Sequence, residues 1–362
     1  NSDQTPHAIQ TRITCLTFTQ ALHIYMKTLM NRLTTKDLQR VALHCGYRTD
    51  VTKSARLRAI KESGEFFDVI TAKHNPKKPF NILLVDVGLK NFSYSKVSYT
   101  GTTADIKDWN VTNLHDVYGT PEHTDEGSLV DSKAYLAKLA LGVVDNVFLA
   151  GLWIPNIITI ENQRTRSNSK TSTLPNVLLN FCLEHMIYAA FAARQTTNSK
   201  LQPTVIMPMH ANKMVNYWLS RYTAKQCLYA GLKSKTFRKL ALYGWLRQPQ
   251  LAPFDLSSFT KKLPPDFSSL GPTSLNSALK RALNVTRPNA KVDDLVDSLL
   301  YNLSLARQMS LHQEIKKLME AEDKDAIVCK LAKWDKEHIK FIEPLLLSRA
   351  DLFLASEYEA LE

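Results

Sequence analysis

Cysteine is scarce and scattered. The five present, Cys15, Cys45, Cys182, Cys227 and Cys329, are odd in number and contain no close pair. That excludes a secreted disulfide framework and a cysteine-based zinc motif, and it suits a reducing compartment. Long apolar runs are also lacking: no stretch approaches the roughly 18 consecutive apolar residues of a membrane span, so no membrane partner is expected. There is no internal repeat, which argues against a solenoid. Acidic residues are outnumbered, 34 against 46 Lys and Arg, for a net charge of +12. That imbalance favours a polyanionic partner. The chain opens at Asn1 rather than Met, and a processed or trimmed form, with any transit peptide already gone, is expected.

The chain has 362 residues, 44% of them hydrophobic, enough for a real core in one large domain or two. Against that apolar background three acidic stretches stand out: Asn81 to Gly88 with Asp86, Ile157 to Glu161, and Asp293 to Leu300 with Asp293, Asp294 and Asp297. An ionised carboxylate in apolar surroundings is costly unless a cation compensates it, so three such sites point to one shared metal cluster. Ile82 to Val87 and Ile157 to Glu161 read as buried strands with an acid near the end of each. Asp294 and Asp297 are three apart beside Leu295, Val296, Leu299 and Leu300, which puts both on one face of a helix; Asp293 and Asp297 fit that face too. An all-oxygen site suits magnesium, with manganese as the alternative, rather than zinc. Two such ions would clamp the attacking and leaving oxygens of a phosphodiester.

Three words of sequence carry a family resemblance: Asp86-Val87-Gly88-Leu89-Lys90-Asn91-Phe92-Ser93, then Ile160-Glu161-Asn162-Gln163-Arg164-Thr165-Arg166, then Lys291-Val292-Asp293-Asp294-Leu295-Val296-Asp297-Ser298. In order and spacing they resemble the fungal mitochondrial Holliday junction resolvases, relatives of bacterial RuvC in the ribonuclease H-like superfamily. The resemblance covers roughly residues 80 to 305. It departs from the usual family pattern at Ser93, where a small apolar residue is common, at Asn162, usually Arg, and at Val296, usually Ala. All the core acids are kept.

The resemblance implies a ribonuclease H-like mixed five-stranded sheet flanked by helices, an α/β fold. It implies a structure-selective endonuclease that nicks four-way junction DNA in pairs, acting as a homodimer in the mitochondrial matrix. Asp86, Glu161, Asp294 and Asp297 would be catalytic, and with Asp293 would hold two metal ions per site, Asp86 bridging them. Lys90, Asn91, Gln163, Arg164, Arg166 and Lys170, beside the acids, are the expected DNA contacts. Two other readings stay open. One is a non-catalytic junction-binding or scaffold protein. The other is a phosphotransferase of the actin and sugar-kinase type, whose second Asp-x-Gly has only Asp125-Glu126-Gly127, in a polar loop, as a candidate.

The expected division is a helical module over residues 1–73, a linker over 74–80 rich in Lys and Pro, and a nuclease domain with a C-terminal helical extension over 81–362. In the first, Thr34 begins a helix that Gly46 ends, and a basic helix follows from Thr52. This pattern resembles a SAP module, and Lys36, Arg40, Lys53 and Arg56 are its candidate DNA contacts. Farther on, Lys225, Lys233, Lys235, Arg238 and Lys239 interleave with Tyr222, Tyr229, Phe237 and Tyr243, either as a nucleic-acid surface or as a solvated helix face with its aromatics turned inward. Residues 248–272 read as an ordered insertion or a flexible loop. Trp218 and Trp245 suit either DNA stacking or core packing, and Met207, Met209 and Met214 suit core filling. His185 and His210 read as structural.

Overall fold

The computed structural model describes residues 32–49, 52–119, 132–163, 175–220 and 234–348. The chain divides into two compact units, with boundaries after Asp68, Ala306 and His338. The first begins with α1 (Thr35–His44), which opens on a capping box: Thr34 Oγ1 accepts from the Asp37 N–H, and the Asp37 carboxylate accepts from the Thr34 N–H. Reciprocal caps of this kind satisfy two otherwise orphaned amides. Gly46 turns the chain out of the helix at φ +68°, and a Cβ there would collide with the Gln308 side chain. The second helix, α2 (Lys53–Ala72), runs for 20 residues.

This unit also takes in residues 307–338, so the helices expected to form a module by themselves share a core with the end of the chain. Asp335 accepts from Arg40 at 2.8 Å and bonds His44 at 2.7 Å, while Asp68 holds His312 and Lys316, each at 2.9 Å. The buried imidazoles of His44 and His312 are thus each matched with a carboxylate, which lowers the desolvation cost of burying them.

In the second unit, β1 (Phe80–Asp86), β2 (Phe92–Thr100), β3 (Thr103–Thr112), β4 (Ile157–Glu161) and β5 (Val205–Met209) form one mixed five-stranded sheet in the order β3-β2-β1-β4-β5. The first three pair antiparallel, as hairpins allow; β1, β4 and β5 are parallel and need helical crossovers. The crossovers carry α3 (Ser132–Val143) and α4 (Pro175–Thr197). Strand side chains alternate between faces. Leu83, Val85, Ile158 and Ile160 therefore share a core with Leu136, Leu139 and Val143 of α3 and Leu183, Ile187 and Phe191 of α4. By length and composition α4 is apolar enough to cross a membrane, but those three side chains are committed to the sheet.

The other face of the sheet lies beneath a long helix. After α5 (Ser234–Arg247) and α6 (Pro272–Ala282), α7 (Val292–Glu320) begins at the acids, and α8 (Lys324–Ser348) follows. Polar groups fix α7 to β2 and β3: Ser93 Oγ donates to the Asp294 carbonyl at 2.9 Å, Ser95 Oγ to Ser298 O at 2.8 Å, and the Trp109 indole to Leu295 O at 2.7 Å. Farther along, Asn302 is fully buried, donates to Ile82 O and Ser95 O at 3.1 Å and accepts from Tyr99 OH at 2.7 Å. From Asp294 to Asn302 the helix advances about 12 Å, and from Asp86 back to Ile82 the strand covers about 13 Å. The two elements therefore match bond for bond.

The segment over 248–272 is an ordered insertion. Phe254 packs on Tyr99 and Phe259 on Trp109, and the Asp255 backbone exchanges hydrogen bonds with Thr102 and Ala104. It thereby covers part of the open edge of β3, which would otherwise present unpaired amides. Trp218 and Trp245 are core residues whose indoles donate to Leu300 O and Phe341 O. Met209 and Met214 are buried as expected, whereas His185 and His210 are exposed.

Because Asn302 satisfies strand carbonyls and a tyrosine hydroxyl in a site without solvent, Asn302→Leu should destabilise the protein by about 3 kcal/mol. Urea unfolding measures the change; a midpoint equal to that of wild type would show the network to be dispensable.

Candidate active site

The parallel register of β1 and β4 runs from Ile82 opposite Ile157 to Val85 opposite Ile160. The next residues are Asp86 and Glu161, side by side at the carboxyl ends of two adjacent strands. Gly88 turns the chain just beyond; a Cβ there would lie 2.9 Å from Asn91 O, so the Asp-x-Gly word reflects close backbone approach. The third contribution comes from α7, whose first turn carries Asp293 and Asp294, with Asp297 one turn on. Ser93, a departure from the family pattern, is itself a bond to the backbone of that turn.

Burial and mutual repulsion act on these carboxylates together. Burial, then the charges of Glu161, Asp294 and Asp297, push Asp86 well above the ordinary carboxylate range. Burial raises Glu161 to about 7, although Tyr301 donates a hydrogen bond that opposes the rise. Asp294 is raised to about 6 by burial and by Asp293, and Asp297 is raised by burial despite its bond to Arg238. Asp293 behaves oppositely. Burial would raise it, but its bond to Lys235 outweighs that and holds it below the usual value. The charges of Asp294 and Asp297 are among the largest acting on Asp86.

Two cations on α5 meet the helix acids. Arg238 is buried and grips Asp297 in a two-pronged ion pair, Nε to Oδ1 at 2.5 Å and Nη2 to Oδ2 at 2.7 Å. Lys235 bonds Asp293 at 2.6 Å and lies 3.8 Å from Asp294. Among the described residues no three His, Cys, Asp or Glu side chains converge closely enough to enclose a metal ion. The donor chemistry nevertheless fits a hard divalent cation. Four carboxylates, all with raised proton affinity from mutual repulsion and burial, form an all-oxygen set with unmet negative charge.

The structure therefore brings together Asp86, Glu161, Asp294 and Asp297, with Asp293 at the rim on Lys235. Lys90 is exposed just beyond β1, Asn91 keeps a buried Oδ1 with no partner among the described residues, and the Gln163 N–H donates to Glu184. Arg164, Arg166 and Lys170 lie outside the described residues, as do Tyr222, Lys225, Tyr229 and Lys233. In the first unit Lys36 is exposed and Lys53 partly so, Arg40 is engaged by Asp37 and Asp335, and Arg56 is buried on Thr35 O. On α5 the aromatics Phe237 and Tyr243 turn inward, as one of the two readings of that segment had it.

Sequence reasoning missed the site roles of Tyr301, Lys235 and Arg238. Tyr301 carried a usable signal, since it follows Asp294 by seven residues and Asp297 by four, on the same helical stripe. Arg238 carried none beyond the general need of buried acids for a counter-charge.

The family described as "Mitochondrial resolvase Ydc2 / RNA splicing MRS1" matches residues 82–315. The mitochondrial cruciform cutting endonuclease 1 of Saccharomyces cerevisiae is 23% identical over 306 residues, 79% of this chain and 84% of that protein. Its namesake in Schizosaccharomyces pombe is 29% identical over 148 residues, 40% of this chain and 55% of that protein. The crystal structure of the yeast mitochondrial Holliday junction resolvase Ydc2 superposes with a TM-score of 0.49 at 18% identity, covering 80% of this chain and 99% of that one.

The charge pattern sets the response of stability to pH. In chelator, Glu161 and Asp294 bind protons more tightly folded than unfolded. Their contribution is thus most favourable below about pH 4 and declines as the pH rises through about 6 to 7. Asp86→Asn should then raise the melting temperature in chelator at pH 8, because it removes a repelled charge. Asp297→Ala should lower stability by about 3–5 kcal/mol, because it strands a buried guanidinium. Thermal unfolding of both variants is the check; equal shifts would contradict the division into repelled and paired acids.

Proposed function

Because this chain belongs to the family of the mitochondrial resolvase Ydc2 and the RNA splicing protein MRS1, we propose that it is a mitochondrial endonuclease that resolves four-way DNA junctions by paired, symmetric nicks. The observation that carries this reading is the meeting of Asp86, Glu161, Asp294 and Asp297 at one end of the sheet. Divalent-metal dependence is general to such nucleases; magnesium, with manganese as the alternative, and two ions per site suit this donor set. The four acids would hold the ions, and Asp293 would support them from the rim. When bound, divalent ions supply a lowered water pKa and charge stabilisation at the phosphodiester oxygens.

The chain's own groups do the positioning. Tyr301 orients the Glu161 carboxylate, Arg238 fixes Asp297, and Lys235 steadies Asp293 and offsets charge at Asp294. Lys90, Asn91 and Gln163 flank the strand ends, and Arg164, Arg166 and Lys170 follow them in sequence, a distribution suited to gripping phosphates near the cut. In the first unit the SAP-like helices offer Lys36 and Lys53 for further DNA contact. Two symmetric cuts across a two-fold junction call for two sites, hence a homodimer.

A second reading has one observation in its favour. The family description includes an RNA splicing protein, and Arg238 already occupies both oxygens of Asp297. A nucleic-acid binder without cleavage would fit both facts. A labelled four-way junction, a matched duplex and an RNA–DNA hybrid, each incubated with magnesium and with chelator, separate the two. The nuclease reading expects metal-dependent cleavage of the junction alone, and at least about a hundredfold loss in Asp86→Asn with junction binding retained. Binding without cleavage by the wild-type protein would establish the second reading.

A further inference from the structure

The acids lie at the carboxyl ends of β1 and β4, and the opposite ends of these strands carry a feature that catalysis leaves unused. A cavity of about 530 Å³ opens there, lined by the segment before β1, the loop before β4 and the turn before β5. Its ionisable lining includes Lys73, Lys78, Lys107 and Lys200 and no carboxylate. Lys107 pairs with Asp105; Lys73, Lys78 and Lys200 are exposed and have no acidic partner among the described residues. So many uncompensated ammonium groups round one concavity repel each other, and an anion relieves the repulsion.

The wall of the cavity is built rather than incidental. Trp153 is held half-buried: its indole donates to Ser98 Oγ at 2.9 Å, Ser98 donates to Asn81 Oδ1 at 2.8 Å, and the Asn81 N–H donates to Asn156 Oδ1 at 2.8 Å. Beside it Gly151 turns at φ +72° and Leu152 stands 97% exposed. A fixed aromatic face, an exposed apolar tip and a ring of lysines match the chemistry of a nucleic-acid strand, which offers phosphates and flat bases together.

We propose that this cavity is a second DNA-binding site, which grips the backbone of a junction arm about 20 Å from the carboxylates. The distance is the length of the sheet's central strands and corresponds to roughly six base-pair steps. The site rests on the DNA-directed reading above and adds to it a contact that holds an arm without taking part in cleavage. It contributes affinity, salt dependence and arm orientation, and leaves the reaction at the acids untouched.

The structure supplies its own reporter. Of the five tryptophans, Trp109, Trp218, Trp245 and Trp334 are buried, and Trp153 alone retains partial exposure. Adding an unlabelled four-way junction in chelator should change tryptophan emission in the wild type, and the change should be lost in Trp153→Phe. In parallel, Lys78→Ala combined with Lys200→Ala should reduce the slope of log affinity against log salt by about two, with the cleavage rate at saturating junction unchanged. Both lysines are exposed, so the variant should fold. An unchanged salt slope, or emission that responds to an RNA strand and not to DNA, would overturn the second site. Wild-type cleavage with an unchanged slope rejects this site alone. Absence of wild-type cleavage rejects the nuclease reading, while a Trp153-dependent emission change would still support the site.

Discussion

The attachment of α7 to the sheet is the constraint from which the rest of the candidate active site follows. Strand acids are placed by register, because a parallel pair with Val85 opposite Ile160 has Asp86 and Glu161 as its next step. Helix acids have no such guarantee, since a rotation of one residue would swing Asp297 by about 100°. Ser93, Ser95, Trp109 and Asn302 remove that freedom by bonding the helix to the sheet at four levels. Three of the four helix groups that receive these bonds are backbone carbonyls, so the attachment fixes the position of the helix independently of the acidic side chains it presents.

A site assembled this way holds charge that the fold would otherwise avoid. The acids repel each other and sit in poorly solvated surroundings; Arg238 and Lys235 bond the helix acids directly and act on Glu161 and Asp86 through charge alone. Burial leaves Asp86 and Glu161 on the sheet side raised above the ordinary carboxylate range in spite of these cations. Stability is thus given up locally in favour of cation affinity, with the docked helix supplying the rigidity that keeps the carboxylates from turning away.

Much of this was legible in the sequence, for identifiable reasons. The strand acids showed because Ile82 to Val85 and, but for Thr159, Ile157 to Ile160 are apolar, a setting in which an uncompensated acid is costly. The helix acids showed because Asp294 and Asp297 obey the helical period beside Leu295 and Leu299. Glu161's partner Tyr301 and the grip of Arg238 on Asp297 were hidden, since both are contacts between elements that the sequence places far apart. The same holds for the N-terminal helices: their caps and period are local and readable, whereas the union of Asp68 with His312 and of His44 with Asp335 spans most of the chain. Residues 248–272 were ambiguous because their Pro and Ser content resembles a loop, and only the seats of Phe254 and Phe259 decide otherwise.

That long-range union bears on how the protein is made. The first unit draws on the chain before residue 69 and again after residue 306, while most of the second is continuous between them. During synthesis, therefore, the leading helices emerge about 240 residues ahead of the segment that completes their core. At roughly 5–20 residues per second the interval lasts on the order of 10–50 s. Throughout it His44 lacks both its ring neighbour Trp334 and its carboxylate partner Asp335. The sheet can assemble in that time, although the second unit also draws on the chain after His338, where Phe341 O accepts from Trp245. The helical unit closes only after the C-terminal helices arrive.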